Sequence, residues 1–208
     1  MKWVGHRPTS EGRPDLMLRE MIADVYALSG HEPDIKETEI EAVGETLRLV
    51  LPDMSGEDCR PLLAGISARV FRDLGAGDLA RRLLIFGSGI VTAASWEIAG
   101  GETLWILDLE RLAGGAGPQT ELSLVRSLDT ALAAMAEVWD DSSGRGPLGL
   151  RHLEQVVQNL LGEAAPRRQL RSLERELFKG VASRLEMIAC ERHWEAVPEV
   201  LNLDSRGS

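Results

Sequence analysis

A chain of 208 residues, 44% hydrophobic and 27% charged, can bury a core without disulfides or a structural metal. Its net charge of −10 argues against a surface made for phosphate backbones, which are bound through counterion release at basic patches. No nucleic-acid partner is therefore expected. Cys59 and Cys190 form neither a CxxC pair nor a disulfide framework, and Met1-Lys2-Trp3-Val4 lacks the apolar core of a signal peptide, so the chain reads as cytoplasmic. Its 23 basic residues are nearly all arginine, a bias read as a mark of a GC-rich bacterial genome.

Residues 1–13 show no periodicity and are expected as an N-terminal arm. A helix is predicted from Pro14 to a stop at Gly30, with Leu18, Met21, Ile22, Val25 and Leu28 on one buried face. Thr38-Glu39-Ile40-Glu41 has the form of a capping box for a second helix, striped by Ile40, Val43, Leu47, Val50 and Leu51 and ended by Pro52. Ser55-Gly56-Glu57-Asp58 marks a third start, with Leu62, Leu63, Ile66, Val70 and Leu74 as its stripe up to Gly75. Asp78 is the expected cap of a fourth helix, through Phe86.

The apolar run Leu83–Ala99 carries Gly87, Ser88, Gly89, Ser95 and Glu97 and falls short of the roughly 20 apolar residues of a spanning helix, so no membrane span is expected. Its second half is β-branched and aromatic. With Thr103-Leu104-Trp105-Ile106-Leu107-Asp108-Leu109 it predicts a hairpin over roughly 91–109, whose second strand is apolar enough to be covered on both faces. The alternative is one long helix over 79–96 with only 103–109 extended.

After the linker Ala113–Pro118, a helix is predicted from Gln119 to Trp139 with Val125, Leu128, Leu132, Met135 and Trp139 inward. The next takes Leu150, Leu153, Val157, Leu160 and Leu161 and stops at Gly162. The last runs from Pro166 to about Glu195, striped by Leu170, Leu173, Leu177, Val181, Leu185 and Ile188. The expected fold class is mainly α, with about seven amphipathic helices in two groups around one hairpin. The expected layout is a single domain over 14–197 followed by a C-terminal tail, 198–208.

Several side-chain sets could carry chemistry. On a continuous last helix, Glu186, Cys190 and His193 share a sector of roughly 60°. A carboxylate, a thiol and an imidazole there would make half a zinc site or an activated-nucleophile pair, with Cys59, His152, His31 or His6 as further ligands. The other reading, favoured by the flanking Met187 and Trp194, makes Cys190 a small buried hydrophobe on a centrally packed helix. Arg167, Arg168 and Arg171 open that helix, where free N–H groups could help them receive an anion, unless Glu163 and Glu174 neutralise them. Gly87-Ser88-Gly89 lacks the third glycine of GxGxxG, and the acidic turn Gly30–Asp34 with Glu37, Glu39 and Glu41 lacks EF-hand spacing. Asp108 stands at a strand end, where functional acids occur, but no P-loop accompanies it.

The first two helices with the Gly30-His31-Glu32-Pro33-Asp34 turn are similar in general character to the tellurite-resistance TerB family, without the Asp-Gly of that family's turn. The similarity assigns no membership. No GxSxG, HExxH or Walker A motif is present. The function expected is therefore a non-catalytic helical interaction or accessory module that binds another protein or itself, with Trp96 and Trp105 on the hairpin as interface anchors. The alternative is an enzyme or a ligand- or metal-binding protein. Its pocket would lie between hairpin and C-terminal helices and draw on Glu186, Cys190, His193 and Asp108. No cofactor is indicated.

Overall fold

The computed structural model describes residues 13–29, 35–50, 59–95, 103–114, 120–141, 146–162 and 164–204. Within these the chain is mainly α, with eight α-helices and four strands, and it divides into two compact units that part between Ile90 and Val91.

The first unit begins with α1 (Pro14–Ser29) and α2 (Glu37–Val50). Leu18, Met21, Ile22 and Val25 on α1 and Ile40, Val43 and Leu47 on α2 are buried, as their spacing predicts. Leu28, Val50 and Leu51 of the predicted stripes, and Ser55–Asp58, lie outside the described side chains. Gly44 lets the helices approach closely, since a Cβ there would stand 3.3 Å from Asp15 Cβ. Arg19 ties the pair together through ion pairs to Glu37 and, at 3.1 Å, to Glu41. Only the glutamate half of a capping box forms, two residues earlier than the sequence pattern suggests. Glu39 Oε2 accepts the Lys36 N–H at 3.1 Å, so Lys36, not Thr38, precedes the first turn.

On α3 (Cys59–Asp73) the buried face is Leu63, Ala64, Ser67, Ala68 and Phe71. Of the predicted stripe only Leu63 belongs to it: Leu62 and Leu74 are 57% and 58% exposed, and Ile66 and Val70 are half-buried. Small residues explain the difference. Alanine and serine let α3 press backbone-close onto its neighbours, while Phe71 fills the space they leave. Gly75, at φ 90, ends the helix region. A short α4 (Gly77–Arg82) continues without a break into a π-helical turn, Leu83–Gly87. Asp78 lies in its first turn, with Ala76 at the cap position, and pairs with Arg82 at 2.9 Å and Arg81 at 3.1 Å. Ser88 turns its hydroxyl back onto Leu84 O, and Gly89 takes φ 77. The Gly-Ser-Gly segment is thus a helix terminus with its hydroxyl already used. The long-helix alternative for 79–96 is excluded, because residues 91–95 are a strand.

The second unit is built on a mixed sheet of order β1-β2-β3-β4, with β1 (Val91–Ser95), β2 (Thr103–Asp108), β3 (Leu148–Arg151) and β4 (Val200–Asn202). The predicted hairpin is present as the antiparallel β1–β2 pair, from Val91 opposite Leu107 to Ser95 opposite Thr103. It is only half of the sheet. β3 and β4 join β2 in parallel, which corrects two expectations: Leu150 belongs to a strand and not to a helix, and the expected tail 198–208 contains β4. Two crossovers connect the parallel strands. α5 (Leu109–Leu112) and α6 (Glu121–Asp141) lead from β2 to β3; α7 (Leu153–Leu161) and α8 (Arg167–Glu191) lead from β3 to β4.

β2 is covered on both faces, as its apolar run predicts. Trp105, Ile106 and Leu107 are almost fully buried. On one face Leu104 and Ile106 pack with Leu201 and Leu203. On the other, Trp105 meets Trp139 of α6 at a ring separation of 5.7 Å, and Trp139 meets Trp194 at 5.8 Å. Asp129 of α6 pairs with Arg184 of α8, 55 residues on, and Trp139 and Trp194 are the same distance apart in sequence. The first contact joins the two helices directly, and the second ties the end of α6 to the segment that follows α8. On α6 the buried residue of the first turn is Leu124, and the predicted Val125 points outward. The stripe on α8 is as predicted from Leu173 to Ile188.

Candidate functional site

Three parallel strands end on the same side of the sheet, and each end delivers a polar residue. Asp108 closes β2, His152 follows β3, and Asp204 follows β4 by two residues. Such carboxyl ends are where open parallel sheets present their functional groups, because the strands stop there and the connecting chain turns outward.

Asp108 is buried to 8% exposure and caps α5: its Oδ1 accepts the Arg111 N–H at 3.0 Å, while Arg111 Nε stands 3.8 Å from Oδ2. The same Oδ1 lies 3.1 Å from His152 Nδ1, and Glu110 Oε2 is 3.6 Å from that nitrogen. Nδ1 therefore faces acceptors and holds the ring proton in the neutral form, which leaves the Nε2 lone pair open. Nε2 has no hydrogen-bond partner among the described residues, and the side chain is 40% exposed.

The backbone of His152 is equally constrained. It occupies the N-cap position of α7 with φ 61 and ψ 29, a left-handed conformation costly for a residue with a Cβ. Asp204 compensates. Its Oδ1 accepts the His152 N–H at 2.8 Å and its Oδ2 the Glu154 N–H at 3.1 Å, so a residue 52 positions later supplies the cap that His152 does not make. Asn202 Oδ1 accepts the Asp204 N–H at 2.9 Å, and Asn202 Nδ2 donates to Glu174 Oε1 at 3.2 Å. The Leu203 N–H donates to Leu150 O at 2.9 Å. These bonds hold the Asp204 segment against β3 and α8.

The predicted site residues lie elsewhere. Glu186 and Cys190 are exposed on α8, which corrects the reading of Cys190 as a buried small residue. His193 is not on their helical face, because α8 ends at Glu191. His193 adopts φ 57, the Trp194 N–H donates to Ala189 O at 2.9 Å and the His193 N–H to Cys190 O at 3.3 Å. That is a Schellman stop with histidine where glycine is usual. The side chains of Glu186, Cys190 and His193 make no hydrogen bond or ion pair with one another or with Asp108. Among the described residues no three His, Cys, Asp or Glu side chains group as a metal site.

Arg167, Arg168 and Arg171 are exposed at the start of α8, and Glu174, offered as their neutraliser, is engaged by Asn202. Glu37 and Glu41 are paired with Arg19, and Glu39 with the Lys36 N–H, so the acidic face of α2 is internally satisfied. Trp105, expected as an interface anchor, is a core residue with 1% of its surface exposed. Trp96, Glu163, His6 and His31 lie outside the described residues.

Residue types alone singled out Asp108 and His152 separately. Their pairing, and the parts of Glu110 and Asp204, were hidden because 148–151 and 200–202 were not recognised as strands. The legible signal is a repeated pattern, an apolar run of a few residues closing on a polar one: Leu107-Asp108, Leu150-Arg151-His152, Leu203-Asp204. No protein-family model, curated protein or solved structure matches the chain. Among the described residues no helix is long and apolar enough to cross a membrane.

Proposed function

We propose that this chain is a non-catalytic, cytoplasmic module that binds another protein or a second copy of itself. The observation that carries the reading is a partly exposed apolar row on α3. Leu62, Ile66 and Val70, with Leu74 just past the helix end, follow one another at four-residue steps along the flank of the buried Leu63–Phe71 face, exposed at Leu62 and Leu74 and half-buried between them. They mark out a ridge about 18 Å long at 1.5 Å per residue. Single exposed leucines need no explanation, but an ordered row on one helix is the form in which helices present themselves to a partner's groove. Arg69 and Arg72 flank the row and supply a polar rim.

The alternative, a pocket between hairpin and C-terminal helix, draws no support from Glu186, Cys190 and His193, which are exposed and unconnected. In-cell photo-crosslinking from position 66 tests the module reading. A discrete crosslinked species is expected, and it should be lost in the double variant Leu62→Glu, Leu74→Glu. A chain that crosslinks to nothing and stays a monomer, with or without the charges, would remove the proposal.

A further inference from the structure

We infer that the carboxyl ends of β2, β3 and β4 form a second, independent binding site whose working atom is Nε2 of His152, and that it accepts a hydrogen bond from a neutral or cationic N–H or O–H group. Three observations converge on it. First, the imidazole is oriented from behind, with Nδ1 3.1 Å from the buried Asp108 carboxylate and 3.6 Å from Glu110. A carboxylate behind one ring nitrogen fixes the ring's orientation and keeps the lone pair of the other pointed outward. Second, the chain retains histidine at a left-handed position, φ 61, which glycine or asparagine would occupy at less cost. The cap that α7 needs comes from Asp204, so capping does not account for the histidine. Its ring does. Third, the location is the end of a parallel sheet where ligands of such sheets bind.

The same geometry decides the sign of the ligand. The N-termini of α5 and α7, which would otherwise attract phosphate or carboxylate groups, are occupied by Asp108 and Asp204. Glu110 and Glu154 add further negative charge, and Arg111 leans on Asp108. An anion would meet four carboxylates, those of Asp108, Glu110, Glu154 and Asp204, against two cations, Arg111 and Arg151. A donor group would meet one oriented lone pair.

Carbethoxylation of the full chain by diethyl pyrocarbonate, read by peptide mass spectrometry, tests this, with His193 in the same molecule as internal reference. The reagent adds to an unprotonated imidazole nitrogen, so its rate reports how available the Nε2 lone pair is. His152 should react faster than His193. Asp108→Asn, which keeps an N-cap residue for α5, should slow His152 several-fold and leave His193 unchanged. Inorganic phosphate should not protect His152. Should Asp108→Asn fail to fold, Asp204→Asn is read by the same criteria, because it loosens the backbone that aims the ring. Equal His152 rates in wild type and variant, or protection by phosphate, would overturn the inference.

Discussion

The carboxylate of Asp204 accepts the backbone N–H of His152 at 2.8 Å across 52 residues of sequence, and so fixes the backbone from which the imidazole reaches Asp108. Residue choice at 152 should show both demands separately. His152→Asn tolerates φ > 0 and is expected to keep stability while losing the contact to Asp108. His152→Val suffers the left-handed strain without compensation and should cost about 1–3 kcal/mol more than asparagine. Urea denaturation of the two variants makes the comparison. Equal stabilities would mean that the backbone at 152 relaxes freely.

Gly149 sits in β3 between Ile106 and Leu201, and a Cβ there would fall 2.6 Å from Leu203 Cδ1. Leu203 therefore occupies the space that a side chain at 149 would need. Gly149→Ala should destabilise the second unit by about 1–3 kcal/mol through overpacking. The double variant Gly149→Ala, Leu203→Ala should be more stable than the sum of the two single changes implies. Thermal melts of the four members of the cycle settle it; strict additivity would mean that Leu203 is not the obstacle.

His193 ends α8 at φ 57 without the freedom of glycine. His193→Gly removes that strain while leaving the Trp194-to-Ala189 hydrogen bond available, and is expected to raise stability by about 0.5–1 kcal/mol. Replacement by a β-branched residue should lower it. A fall in melting temperature for the glycine variant would show that the histidine side chain does more than fill the stop.

Among the described residues of the first unit, Asp15 is an identifiable source of acid sensitivity. The Asp15 carboxyl is held below its usual value of 3.8, chiefly by the hydrogen bond from Arg13. The unfolded chain therefore takes up the proton at a higher pH than the folded one. The stability contributed is complete above the unfolded value and disappears as pH falls through the lower, folded one. Asp15→Asn should lose less stability than the wild type between neutral pH and about pH 3. Denaturation curves at both pH values measure it, and identical losses would place the acid-labile group elsewhere.

The helices were legible because their apolar faces repeat over about two turns or more. Residues 173–188 on α8 and 18–25 on α1 needed no tertiary information to be placed inward. On α3 the sequence pattern points to the wrong row because three of its five inward residues are alanine or serine, which carry little hydrophobic signal, while the exposed Leu62 and Leu74 carry much of it. The sheet was half legible. β2 declares itself with four consecutive large apolar residues, whereas β3 spans four residues and β4 three, too few for any period to show. The candidate site went unassembled for the same reason, since Asp108 and His152 become neighbours only once β3 lies beside β2.

The parallel pairings also set an order of events in folding. Trp105 must find Leu148, and Leu148 must find Val200, each across an intervening crossover. Closing a loop of roughly 50 residues costs on the order of 3.5 kcal/mol in chain entropy before any ladder bond repays it. The first unit has distant contacts of its own, with Met21 against Gly87 and Arg60 bonded to both Asp24 and Gly87 O, but no strand ladder to register. The imidazole at 152 becomes aimed only when the segment after the final strand has docked, because Asp204 holds its backbone N–H.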